Sequence, residues 1–188
     1  NDDTDLDRKA FENVLQDYKT LVDPQAILIG ALRDPESKVV TYTGCLHSVV
    51  NRKVHLEFIP PLGIPTRVGM FSGNFVVVPR GLREVMGPIS KKYSHGWADM
   101  EYGYRAKKFG FSSYLMSDFI GYSELNPIYT LHKSKNENIF RRFLHAYSRK
   151  GYHPVDYFRF CITSFGFRGI GFYIQNILRV LKDVIKAN

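Results

Sequence analysis

The chain has 188 residues, 44% of them hydrophobic and 14% aromatic, a composition that excludes a disordered polymer and fits one sizeable core with an appendage. Its net charge of +8 is unevenly placed: residues 1–132 hold 15 Lys+Arg against 15 Asp+Glu, and residues 133–188 hold 11 against 3. The excess therefore sits in the tail and suits an anionic partner, either nucleic acid or a membrane surface. Cys45 and Cys161 lack metal-ligand spacing and are expected as buried free thiols in a reducing compartment. No signal-peptide pattern opens the chain and no run of 18 apolar residues offers a membrane span.

In chain order, the opening NDDTDLD reads as a solvated acidic start whose Asp7 caps a helix. Phe11, Val14, Leu15, Tyr18, Leu21 and Val22 repeat at helical spacing up to Asp23 and Pro24. AILIGAL, residues 26–32, is a short apolar run between Pro24 and the turn DPES, and predicts a strand. KVVTYTG and VVNRKVHLEFI predict two more, followed by the rigid loop PPLGIP. His47, His55 and Arg67 fall here and are expected at the surface or in pairs. In GMFSGNFVVVPRGLREVMGP, Gly73 and Asn74 precede a buried strand FVVV, and a short helix LREVM stops at Gly87.

The loop SHGW then turns into a helix. Asp99 falls at or near its N-cap and Glu101 two residues on, where backbone N–H groups and the positive helix end favour carboxylates. Arg105, Lys107 and Lys108 load the C-terminal half with positive charge, and Gly110 is suited to the residue just past the end. Capping alone accounts for all of these features. FGFSSYLMSDFIGY predicts one more strand beside this helix, and ELNPIYTLHKS a loop. From Glu137 the character changes: Ile139, Phe140, Phe143, Leu144 and Tyr147 form one apolar face among Arg141, Arg142, His145, Arg149 and Lys150. After Pro154 an aromatic, glycine-broken stretch leads to a second helix, with Ile174, Ile177, Leu178, Leu181, Val184 and Ile185 on one face. Packing on a core, a membrane interface, or a homodimer would each use such faces.

Read with its surroundings, GWADMEYGYRAKKFG resembles the second half of the GT-A domain of a family 2 glycosyltransferase. An acidic pair, a spaced acid, a glycine, an arginine and a final glycine recur there, and Asp99, Glu101, Gly103, Arg105 and Gly110 fill those places. Ala98 stands where the family usually has the first acid of its pair. Asn1, Asp2 and Asp3 resemble the family's DxD-type motif, which ends a strand and leads into such a helix.

The resemblance implies an α/β fold: a partial GT-A domain with a mixed sheet over residues 1–132, then an amphipathic helical tail over 133–188, with the nucleotide-binding half expected before Asn1. It implies inverting transfer from a nucleotide diphosphate sugar to a saccharide or lipid-linked saccharide acceptor, in bacterial cell-surface polysaccharide or glycolipid synthesis. Asp3 would ligate Mg²⁺ or Mn²⁺ on the donor diphosphate, with Asp2 beside it. His132 is the nearest candidate for a further ligand, though an ordinary surface histidine is equally expected. Gly73 and Asn74 would line the donor site, and Arg105 would steady the acids or reach a phosphate. Asp99 would be the catalytic base, and Glu101 either the alternative base or a group that orients it. Trp97 offers either a flat face for a sugar or a core side chain.

The tail would hold the protein on the inner face of the cell membrane through residues 137–188, with no nucleic-acid partner. The rival from another class is a non-catalytic module that binds membrane or nucleic acid on an α/β scaffold. A metal-dependent phosphotransferase or nuclease on the Asn1–Asp7 acids is a third reading.

Overall fold

The structure, a computed structural model, describes residues 4–50, 53–94, 96–124, 136–148 and 151–186. It is an α/β protein with, among the described residues, an open mixed sheet of eight strands and six helices. The chain divides into two compact units. The first comprises Asn1–Ser48, Leu56–Ile89 and Tyr102–Leu125, and the second Val49–His55, Ser90–Glu101 and Asn126–Asn188.

The first unit is built around β2 (Ile27–Arg33), buried from Ile27 to Leu32. Ile27, Ile29 and Ala31 face a core shared with Leu82, Met86, Tyr102 and Ala106. Leu28 and Leu32 face the opposite core, with Met116, Ile120 and the Ala10 and Val14 of α1 (Ala10–Thr20). Covered on both sides, such a strand needs an unbroken apolar run and not an alternating one. The sheet order is β1 (Thr4–Leu6), β8 (Ser113–Ser123), β2, β3 (Val40–Val50), β4 (Lys53–Phe58). Short strands β5 (Thr66–Val68), β6 (Met70–Ser72) and β7 (Val76–Val77) pair with β8, β3 and β2. β2 and β8 are parallel, and the crossover between them carries α2 (Arg80–Met86) and α3 (Ala98–Lys108).

β8 bulges as it passes β2. The register steps from Ile29↔Leu115 to Ala31↔Phe119, which takes Ser117 out of the ladder. Its N–H donates instead to Asp17 at 2.8 Å, and its hydroxyl to the other carboxylate oxygen at 2.8 Å. Asp17 is only 4% exposed, so a buried acid of α1 satisfies a donor that the sheet cannot. Close by, Gly121 pairs with Leu6, and a Cβ there would lie 2.1 Å from the Asp5 carbonyl oxygen.

The second unit is helical over its later part: α4 (Ile139–Ala146), α5 (Pro154–Phe165) and α6 (Arg168–Lys186). Asn138 caps α4 by accepting from the Arg141 N–H at 2.9 Å. Ala146, Val180 and Val184 form a small core with Tyr147 and Tyr152. Gly166, at φ +59, ends α5, and Gly169 lets α6 approach it, since a Cβ there would lie 2.1 Å from the Cys161 carbonyl oxygen. Tyr157 packs against Phe172 and Tyr173 and takes a hydrogen bond from Asn176 Nδ2.

Several expectations change. The Asp7 side chain does not cap α1; its backbone carbonyl receives the Ala10 N–H at 2.9 Å, and Lys9 is the N-cap. Phe11, Leu15 and Val22 are exposed, because α1 turns Val14 and Asp17 inward. Val49 and Val50 close β3 and do not open β4. FVVV shrinks to the two half-buried residues of β7, and Thr66–Ser72 supplies two strands where no strand was expected. The aromatic stretch after Pro154 is itself α5, and α6 begins at Arg168. As expected, both cysteines are buried and unpaired.

Candidate active site

The two acids sit on the first turn of α3, within the second unit. The helix begins at Ala98, so Asp99 is its second residue, half-buried, and its Oδ1 accepts the Met100 N–H at 2.8 Å. Glu101 is 5% exposed, and its N–H donates to the Trp97 carbonyl at 2.9 Å, the first full turn of the helix. Trp97 itself stands at φ +73. An aromatic residue in the left-handed region costs on the order of 1–3 kcal/mol and persists only where its surroundings impose it.

Those surroundings are aromatic. The Trp97 ring is stacked on Phe160 at 5.1 Å and 26°, and lies tilted to Tyr157 at 4.6 Å and to Tyr152 at 5.8 Å. The ring offered as a sugar platform is thus anchored by side chains of α5 and the turn before it.

The loop before Trp97 is held by a residue that sequence reasoning missed. Asp156, 3% exposed, accepts from the Ser94 N–H at 2.8 Å and from the Ser94 hydroxyl at 2.5 Å. Arg159 Nη1 donates to its other oxygen at 3.1 Å, and His153 Nδ1 lies 3.6 Å away. Arg159 also donates to the Lys92 carbonyl. Burial alone would push the Asp156 carboxyl up, but the Ser94 hydrogen bonds, His153 and Arg159 outweigh it and leave it below its usual range. The available signal was an acid two residues after Pro154 on a helix start, which says nothing about a serine 62 positions earlier.

Arg105, Gly73 and Asn74 lie in the first unit. Arg105 donates through Nη1 to the Met86 carbonyl at 2.6 Å and through Nη2 to the Pro88 carbonyl at 3.0 Å, over the ring of Tyr102. It thereby satisfies carbonyls at the end of α2 and just beyond. Gly73 adjoins its own hairpin: a Cβ there would be 2.5 Å from Val76 Cγ2. Asn74 Nδ2 donates to Ser123 Oγ at 3.4 Å, and Ser123 is the register partner of Thr4. Asn74 and the residue that follows Asp3 therefore meet at one serine. An open cavity of about 550 Å³ lies there, lined by Thr4, Asp5, Pro35, Lys38, Tyr122, Ser123 and Glu124. Lys38, at φ +59, stands over the Tyr122 ring at 5.0 Å.

Asp2, Asp3 and His132 lie outside the described residues. Among the described residues no group of three or more His, Cys, Asp or Glu is gathered to hold a metal ion. Compared with family models, curated proteins and solved structures, the chain matches none.

Proposed function

We propose that the chain belongs to an inverting glycosyltransferase of the GT-A type, which moves a sugar from a nucleotide diphosphate sugar to an acceptor hydroxyl with Asp99 as the base. The observation that carries this reading is the head of α3. A capped helix needs no aromatic residue at φ +73 before it; Gly or Asn would serve at less cost. Here the strain comes with a three-ring anchor and a buried carboxylate clamp, and what they jointly fix is the position of one half-exposed acid.

An acceptor hydroxyl has too high a pKa to attack unaided and needs a base within hydrogen-bond reach as the new bond forms. Asp99 is suited to that task, being partly accessible and held at a helix start where the dipole favours a negative charge. Glu101, buried two positions further along α3, would be the alternative base or a group that orients Asp99. On the donor side, support comes from the meeting of Thr4 and Asn74 at Ser123 beside the open cavity. A divalent cation at Asp3 would offset charge on the leaving diphosphate.

In the native protein, Asp99→Asn should lower kcat by about 10²–10⁴-fold, the usual share of general-base catalysis. KM for the donor and the far-UV spectrum should be unchanged. Transfer within a few-fold of the parent would return the acids to helix capping and sink the proposal.

A further inference from the structure

Helix α6 has two apolar sides, and its packing uses one of them. Gly169, Val180 and Val184 are buried and define the packed side. Ile170, Ile174, Leu178 and Ile185 are exposed, Leu178 by 59%. At 3.6 residues per turn these four fall within about 80° of one another, centred roughly 110° from the packed side. Beyond them, starting about 40° further round and spanning roughly 60° of arc, come Arg168, Arg179, Lys182 and Lys186. Asp183 lies between the basic arc and the packed side, away from the exposed stripe. Helix α4 repeats the plan: Ala146 and Arg142 are buried, while Ile139, Phe140, Phe143 and Leu144 are exposed. The turn between α5 and α6 adds Phe167, 93% exposed.

Exposed aliphatic and aromatic side chains bordered by cations match the two layers of a lipid surface, acyl carbon beneath anionic headgroups. Among the described residues no helix is long and apolar enough to cross a bilayer. We infer that α4, the α5–α6 turn and the outer stripe of α6 seat the protein on an anionic lipid surface. The stripe enters the headgroup and acyl boundary, and the basic arc pairs with the headgroups. Charge complementarity selects this occupant: the tail carries 11 Lys+Arg against 3 Asp+Glu, and an apolar contact between two copies would bring those like charges together.

The test is sedimentation of the protein with vesicles of phosphatidylcholine, alone or with roughly 30% phosphatidylglycerol. Binding is expected on the anionic vesicles, weak on the neutral ones, and reduced by salt. Lys182→Gln with Lys186→Gln should weaken it about 25-fold, near fivefold for each cation removed. Ile174→Gln with Leu178→Gln should weaken it about tenfold or more without changing net charge. All four sites are on the surface, so the circular dichroism spectrum should hold.

If the parent chain fails to sediment with anionic vesicles, the inference is overturned without recourse to variants. Binding indifferent to the apolar pair but lost with the cations, with equal affinity for a DNA duplex, would identify a nucleic-acid surface instead. A dimer seen by light scattering and dissolved by Ile174→Gln with Leu178→Gln would identify contact between copies. Vesicle binding is measured without substrate, so its failure leaves the transferase reading standing, and an Asp99→Asn variant that still transfers sugar leaves the membrane seat standing.

Discussion

Asp156 shows how much one side chain can hold. Its carboxylate takes two hydrogen bonds from Ser94 and faces Arg159 and His153, and it is almost fully buried. Asp156→Asn keeps the shape but replaces one of the two acceptor oxygens by an NH₂ group, so a donor faces a donor either at Ser94 or at Arg159. The expected loss is about 1–3 kcal/mol. Because the native carboxyl is held below its usual range, its stabilisation is complete above the ordinary aspartate pKa and is lost as pH falls through the lowered native value. Denaturant unfolding of parent and variant should therefore show a gap that is constant near neutrality and closes on acidification below about pH 4. A gap independent of pH would mean that the charge is not what holds the loop. If the proposed transfer is correct, the variant should also lower kcat more than it raises KM, since Ser94 leads into Trp97.

At the scale of elements, what could be read in advance was what is local. Helix α3 was legible at both ends: acids in the first turn, cations in the last, and Gly110 beyond. The structure gives that glycine φ +85, with the Gly110 N–H on Lys107 and the Phe111 N–H on Ala106, the paired bonds of a Schellman ending. β2 was legible because a strand covered on both faces declares itself as an apolar run. The bulge in β8 was not, because the group that satisfies it is Asp17, a polar residue in a helix distant in sequence. Gly121 is similar: nothing in SDFIGYS marks its glycine as different from others, since the atom it must avoid belongs to Asp5 at the other end of the chain. Gly121→Ala should therefore cost about 1–3 kcal/mol through overpacking. The loss should appear first as faster amide exchange over Thr4–Leu6, the strand that must move away. Unchanged exchange there would show that β1 yields without cost.

At the scale of the molecule, core and charge are distributed in opposite ways. Among the described residues, two apolar clusters belong to the first unit, whereas the second has a small Ala146–Val180–Val184 core and a stack of rings around Tyr157; the second unit also carries most of the positive charge. The tail's basic, amphipathic character was legible from composition and periodicity. That α6 splits its apolar residues between a packed side and an exposed stripe was not, because periodicity reports a face and not what covers it. A unit with less apolar burial and more self-repulsion should open more readily. Each unit contains one fully buried cysteine, Cys45 in the first and Cys161 in the second. Burial is the leading cause pushing both thiols up to about 12, so in the native state only on the order of 10⁻⁴ of each is thiolate at pH 8. A thiol reagent should thus leave the native protein unmodified and label each cysteine when its unit opens. With the labelled peptide identified by mass spectrometry across a denaturant series, Cys161 should react at lower denaturant than Cys45. Simultaneous labelling would instead make the two units one cooperative structure, because neither thiol could then become accessible while the other unit stays closed.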